Sequence, residues 1–418
     1  MDVLLKKFFE QERWESAIDI GVGKHINKGT LRLLTSERVR KELLYRLVND
    51  QYDIAPPHVQ LIPKDKPGEF REVMICEDLD RIVLSIINNL FFEMFPEMIH
   101  PSCKSYQTGI GCGKVVKEVS AELRKMKQET IGYKYDLTKY FDSVEISFID
   151  EIFDRMELKV GHSKIIEVVR RFYHSDLLFD ADGNLTEIYK SLKQGTATSS
   201  FLANAVLYDV DKVMSSLPTV RYYRYSDDIL LIGKNYENAH RMLVRYLAEK
   251  KLILNPKKTE ILNRNHWFKF LGFNLSGDGN YISLSKNRIK RFQKEIEHRT
   301  IKSKSSYIGA RNAVHRYLYK GEYSWARNVL PIINCERDLD EMNKFIMDCL
   351  RAVRTGKRKV GGLGCVMDKD GYTVLRGTGK NVTANRNKTE LDGFYGLVCM
   401  RNALLTSPEA FRTLTLAM

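Results

Sequence analysis

No two cysteines in this sequence stand at the C-x-x-C spacing. Cys76, Cys103, Cys112, Cys335, Cys349, Cys365 and Cys399 are scattered and odd in number. That pattern argues against a zinc knuckle or a disulfide framework and for a reducing compartment. No stretch approaches the roughly 18–20 consecutive apolar residues of a membrane span. The opening MDVLLKKFFEQERWE soon runs into charge and shows no secretory signal. A cytoplasmic location with no membrane partner is therefore expected. Internal repeats and long low-complexity linkers are also missing. The glycine-rich TGIGCGK at 108–114 lacks the Gly-Lys-Ser/Thr ending of a phosphate-binding loop. It reads as a turn ahead of a helix.

What is abundant is positive charge. The 418 residues carry a formal net charge of +14 and are 43% hydrophobic. That is ample for a core and too long for one compact domain, so two to four subdomains are expected. Such a charge favours a polyanionic partner, either nucleic acid or an acidic membrane surface. Residues 285–360 hold 19 Lys and Arg against 8 Asp and Glu, which is +11 of the +14. Tyr307, Tyr317, Tyr319, Tyr323 and Trp325 alternate with these cations. Cations for phosphates and rings for bases compose a nucleic-acid surface. A solvated helical face with a few buried aromatics is the plainer alternative.

Hydrophobic periodicity places the elements. Residues 1–56 read as helices, broken near Gly21–Gly29 and at Pro56–Pro57. HVQLIPK and REVMIC form the arms of a hairpin at 58–76 around DKPGEF. A helix covers 79–98. IGYKYDL at 131–137 is a strand, with a helix from about 147 and another over 198–216. Strands near 220–225 and 228–233 form a second hairpin, and a helix covers 236–250. LNPKKTEIL then leads to the short apolar FKFLGF at 268–273. Helices dominate from 285, and the tail from 361 begins glycine-rich.

The chemistry lies in the carboxylates. Asp227 and Asp228 sit in RYSDDILLIG, immediately before an apolar run. Adjacent carboxylates at a strand boundary repel and resist desolvation unless a cation neutralises them. Asp136 ends the strand of KYDLTKYFDSV. Beside the Asp-Asp turn it would complete a cluster for hard cations with oxygen ligands. Two such ions about 3.5–4 Å apart serve phosphoryl transfer. A helix or turn cap is the alternative for Asp136 alone.

YSDD resembles the Tyr-x-Asp-Asp palm signature of reverse transcriptases, and DLTKYFD resembles their first palm motif. The order of features is similar too: finger hairpin, first Asp, Gln-Gly, Asp-Asp, Lys-Thr, Leu-Gly, over residues 57–290. The resemblance implies an α+β right-hand polymerase with fingers, an antiparallel palm sheet and a helical thumb. It implies an N-terminal helical extension at 1–56, fingers at 57–130, palm at 131–284, thumb at 285–360, and a tail of unassigned role at 361–418. The implied metal ligands are Asp136, Asp227 and Asp228 for two Mg²⁺ ions, or Mn²⁺, with Asp136 and Asp227 bridging both and Asp228 in a lesser part. Lys64 and Arg71 would hold the triphosphate, with Lys66 as rival to Lys64. Phe141 would be the steric gate against a ribose 2′-hydroxyl. Gln194 and Gly195 would back the incoming nucleotide, although Lys193 and Ser199-Ser200 depart from the Pro and Ser-Pro that intron and retron enzymes carry there. Asn204 fits the pattern further along. Lys258, or its neighbour Lys257, would protonate the leaving pyrophosphate. Phe270, Leu271 and Gly272 would form the primer grip. Arg81 matches a basic position of structural or template-contacting type.

The implied reaction is RNA-directed DNA synthesis from dNTPs. No RNase H-like or endonuclease module is visible. The nearest likeness is to stand-alone prokaryotic enzymes of the defence-associated and abortive-infection kind, related to intron and retron enzymes. That implies a cognate noncoding RNA template, a DNA product and an anti-phage role. A template-independent or protein-primed DNA polymerase, and an RNA-binding scaffold, are the alternatives. Asp392-Gly393-Phe394-Tyr395 in the tail matches no pattern.

Overall fold

The computed structural model describes residues 2–19, 26–64, 68–355, 364–367, 373–376 and 400. Lys66, the expected break around Gly21 and the Asp392–Tyr395 segment lie outside them. The chain divides into two units: Met1–Ile110 with Ile131–Ile261, and Gly111–Thr130 with Leu262–Met418. Helices and mainly antiparallel sheets are both present, so the fold is α+β.

The first unit holds two sheets. One is built from strands β1 (His58–Pro63) and β2 (Phe70–Ile75). The other begins with β3 (Thr130–Asp136). Strands β4 (Leu177–Phe179) and β5 (Leu185–Glu187) extend the first sheet, giving the order β2-β1-β4-β5. Strands β6 (Val220–Tyr225), β7 (Asp228–Gly233) and β8 (Glu260–Asn263) complete the second, in the order β6-β7-β3-β8. Strand β8 crosses the boundary into the second unit. Ile229, Leu230, Leu231 and Ile232 of β7 are all buried. An unbroken apolar run suits a strand that is central and covered on both faces. Helix Tyr236–Glu249 packs against β7. Its His240 ring stacks on Tyr133 and Tyr135, and the Tyr135 hydroxyl meets His240 Nδ1 at 2.9 Å.

Helix Asp78–Met94 buries Ile82, Val83, Ile86, Ile87, Leu90 and Phe91, as its 3–4 spacing requires. It ends sooner than expected. Pro96 starts a separate 3₁₀ turn at Pro96–Met98, because proline disfavours helical geometry in the residue before it. The single helix expected over 198–216 is two, Ser199–Ala205 and Tyr208–Ser215. Helix Lys164–His174 and the β4–β5 hairpin have no counterpart among the expected elements.

The second unit has a sheet of β9 (Trp267–Phe270), β10 (Phe273–Ser276) and β11 (Ile282–Leu284), in the order β11-β10-β9. Helices Cys112–Arg124, Lys286–Arg299, Tyr307–Tyr319 and Glu336–Thr355 belong to it. Asp338 anchors the last of these by accepting from Ser283 Oγ at 2.5 Å and from the Leu284 N–H at 3.1 Å. Trp325 and Tyr319 are buried. They belong to the core here and offer no ring to a base, whereas Tyr323 is exposed. A two-stranded ladder, β12 (Gly364–Met367) and β13 (Thr373–Arg376), follows. Among the described residues, no helix is long and apolar enough to cross a membrane.

Candidate active site

Antiparallel pairing brings the carboxylates together. In the β3–β7 ladder Asp136 stands opposite Asp228. Directly opposed residues share one face of a sheet. Asp227 precedes Asp228 at the turn out of β6, and its carbonyl accepts from the Leu137 N–H at 3.2 Å. Burial, and after it the charges of Asp227 and Asp136, push the Asp228 carboxyl up to about 6. Asp227 is raised too, first by burial and then by Asp136, with Lys258 and Arg71 acting in the opposite sense. Protons held up by burial and mutual repulsion mark a site that favours added positive charge.

A carboxyl held at about 6 instead of 3.8 destabilises the folded chain by about 3 kcal/mol once it is fully charged. For a raised pKa, the folded state loses stability as pH rises through the folded value. Asp228→Asn in EDTA should therefore raise Tm at pH 8, and the gain should vanish near pH 4. Thermal melts across that range test it; an equal gain at both ends would show that burial does not hold the proton.

Lys258 completes the cluster. Its Nζ donates to both Asp136 oxygens, at 2.9 and 2.8 Å. The backbone prepares this contact. Asn255 N–H donates to the Asp136 carbonyl at 2.8 Å, and the Asn255 carbonyl accepts from the Lys258 and Thr259 N–H groups. The rival Lys257 gives its own N–H to Asn255 Oδ1 at 3.1 Å. Among the described residues no three His, Cys, Asp or Glu side chains stand close enough, as placed, to hold a metal ion. The donor set of three carboxylates nevertheless suits a hard divalent cation, because it supplies anionic oxygens with no softer ligand.

The β1–β2 hairpin presents the expected cations. Ile62 pairs with Arg71, and the Lys64 N–H donates to the Glu69 carbonyl at 2.8 Å. Continuing this register puts Lys64 and Arg71 on the same face, since strand side chains alternate. Both are exposed. Arg71 is the least of the influences on the Asp227 carboxyl, lowering it.

Gln194 and Gly195 dock on the same hairpin. The Gln194 carbonyl accepts from the Met74 N–H at 2.7 Å. Gly195 has φ +113°, and a Cβ there would lie 2.4 Å from Val73 Cγ1 and 2.7 Å from the Met74 carbonyl oxygen. Only glycine fits this turn. Lys193, before it, is buried. Burial lowers its ammonium to about 8, and its Nζ donates to the Ser175 carbonyl at 2.7 Å. Phe141 is half-buried against the core, and its carbonyl accepts from the Leu192 N–H at 2.9 Å. The backbone of the residue expected to gate the sugar is thus tied to the segment leading into Gln194.

In the second unit, Leu271 and Gly272 are the two central residues of the β9–β10 hairpin, at φ 48° and 79°. Positive φ at both centres is what a two-residue hairpin of this hand requires. Leucine is an unusual occupant, so the turn is strained. Phe270, which pairs with Phe273, is buried. Positive φ recurs beside motif residues at Lys139, Lys193 and Ser226, and away from them at Asp50, Tyr106, Lys251 and Lys304. Strain of this kind concentrates at functional turns. Arg81 donates to Asp78 at 3.2 Å in the first turn of its helix.

Sequence reasoning passed over several residues beneath the Asp-Asp turn: Ser105, Asp211 and Arg224. Arg224 and Asp211 are fully buried and paired, with Nε–Oδ1 at 2.7 Å and Nη2–Oδ2 at 2.5 Å. An arginine inside the apolar strand VRYYRY was the available signal, because a buried guanidinium must have a carboxylate nearby. Lys190 also links elements, reaching Glu72 of β2 at 3.0 Å and Asp142, next to Phe141, at 3.6 Å.

The family model described as "Reverse transcriptase (RNA-dependent DNA polymerase)" matches residues 62–275, just over half of the chain. No curated protein matches the sequence. Among solved structures, the chain is similar to apo telomerase from Candida tropicalis truncated from its C-terminal domain. That match has 14% identity and a TM-score of 0.44, and covers 59% of this chain and 60% of that one. For apo telomerase from Candida tropicalis the figures are 13% and 0.46, over 77% and 64%. For telomerase from Candida albicans in complex with a TWJ fragment of telomeric RNA they are 12% and 0.41, over 72% and 59%. The chain spans less than two thirds of the length of each of these structures.

Proposed function

The chain belongs to the reverse transcriptase family, and from that membership we propose that it is an RNA-directed DNA polymerase, extending a 3′-hydroxyl with dNTPs. The observation that carries the proposal is the register placing Asp136 opposite Asp228 with Lys258 on Asp136. Asp136, Asp227 and Asp228 would hold Mg²⁺, with Mn²⁺ as substitute. When bound, such ions activate the attacking hydroxyl and steady the leaving pyrophosphate.

The chain's own groups do the rest. Arg71 offers a guanidinium fork and Lys64 a point charge to the triphosphate. The Phe141 ring excludes a 2′-hydroxyl. The Gln194–Gly195 turn backs the nucleotide. Lys258 is placed to deliver a proton to the departing pyrophosphate. The Leu271–Gly272 turn presents bare backbone to the primer end. In this reading residues 57–130 serve as fingers, 131–284 as palm and 285–360 as thumb.

A finer proposal concerns biology: an enzyme that copies a cognate noncoding RNA in anti-phage defence. Its support is the likeness of the motif set to the defence-associated enzymes. Purified protein should incorporate dNTPs in an order dictated by a primed RNA template. Polymer made equally well without template would favour the template-independent alternative, and no incorporation on any template would defeat the polymerase reading. In cells, phage resistance undiminished by Asp136→Ala would favour the scaffold alternative.

A further inference from the structure

One residue of the Asp-Asp turn adopts a conformation that its own chemistry disfavours. Ser226 has φ 58°, in the left-handed region where the Cβ of a non-glycine residue makes the backbone costly. Its side chain does nothing to offset that cost: Ser226 is buried, and its Oγ has no hydrogen-bond partner. The conformation must be held from outside, through the backbone.

Two groups do so. Ser105 Oγ accepts from the Ser226 N–H at 2.9 Å. Arg224 Nη1 donates to the Ser226 carbonyl at 3.3 Å. The Ser105 hydroxyl is itself oriented. It donates to Asn204 Oδ1 at 2.8 Å, which leaves its lone pairs for Ser226. The Asn204 amide returns to the Ser105 carbonyl at 2.8 Å, closing a ring. Arg224 is locked onto Asp211, which also accepts from the Tyr222 hydroxyl at 2.9 Å. Arg224 Nη2 reaches the Asn204 carbonyl at 3.0 Å. Ser105, Asn204, Asp211 and Arg224 are all buried to completion. Among the buried side chains of this set only the Ser226 hydroxyl lacks a partner, and well-connected networks of this kind fix a unique geometry.

We propose that Ser105, oriented by Asn204, is a positioning residue for polymerisation. Its hydroxyl holds Ser226 in the left-handed conformation that delivers Asp227 and Asp228 in register with Asp136. The proposal rests on the polymerase reading, and its test separates the two.

Arg224 is a poor probe, because removing it strands the Asp211 charge in the interior. Ser105→Ala is milder, and Ser226→Gly removes the need for the restraint, since glycine adopts positive φ freely. Ser105→Ala should lower kcat about 10-fold while shifting KM for dNTP less than about twofold, as expected for a misplaced catalytic group. In the Ser226→Gly background the same substitution should cost less than about threefold. Mn²⁺ affinity, read by electron paramagnetic resonance, should follow the same pattern, weakening in Ser105→Ala and recovering in the double variant. Melting curves of all four proteins keep the comparison within folded material.

An equal loss in both backgrounds would make Ser105 ordinary core and overturn the proposal. So would a change confined to KM. If the parent polymerises nothing, the polymerase reading fails, and the Mn²⁺ titration still decides the role of Ser105.

Discussion

Replacing Asp136 or Asp227 with Ala should lower kcat for dNTP incorporation by about 10³-fold or more. Groups that stabilise charge only in the transition state are worth about that factor. In Asp227→Ala folding should not suffer. Asp227 carries a raised pKa, first from burial and then from Asp136, so its removal relieves repulsion, and Tm should hold or rise. The pairing of large catalytic loss with unimpaired stability is the signature of a functional carboxylate. Single-turnover incorporation beside thermal melts measures both. An Asp227→Ala enzyme within tenfold of the parent would remove these residues from the chemistry. Asp136→Ala also frees Lys258, which gives both of its contacts here to the Asp136 oxygens. That variant should be the more damaged of the two.

Phe141→Ala should admit ribonucleotides. The ring is half-buried against the core, one residue beyond Tyr140, which is itself locked by a 2.5 Å bond from its hydroxyl to the Ala203 carbonyl. Packed against the core beside a fixed neighbour, the ring has little room to give way to an added hydroxyl in the proposed gate position. Steric exclusion of this kind is lost when the bulk is removed, so the preference for dNTP over rNTP in kcat/KM should fall on the order of 10²-fold. Incorporation of dNTP should fall much less. Parallel kcat/KM values for a matched pair decide it. An unchanged ratio would make Phe141 an ordinary core residue, and DNA synthesis would have to be argued on other grounds.

How much of this was legible beforehand differs from residue to residue. The strand of Asp136, the hairpin around Asp227–Asp228 and the β1–β2 arms were readable, because alternation and turn residues are local signals. The break between Ser199–Ala205 and Tyr208–Ser215 was not. Nothing in the local composition of SSFLANAVLYDV forbids a continuous helix, so packing decided it. Trp325 and Tyr319 read as rings for nucleic acid, but Trp325 packs on Phe292, and Tyr319, beside His315, is buried as well. Composition reports that rings and cations alternate along a chain; it does not report which rings the interior takes.

The sequence by itself determined the chemistry on offer: three carboxylates, a hairpin Lys and Arg, a glycine after Gln194 and a Lys-Thr turn, in the order of the reverse transcriptase family. Each of these is a matter of residue type and spacing, which the chain carries without folding. Only the tertiary structure decided that Asp228 stands opposite Asp136, that Lys258 and not Lys257 meets the carboxylate, and that Gly195 presses on Val73. It alone revealed Ser105, separated from Ser226 by 121 residues, as the partner of the Asp227–Asp228 turn. Such contacts depend on register and on burial, and a buried polar group finds its partner wherever the fold brings one, at any distance along the chain.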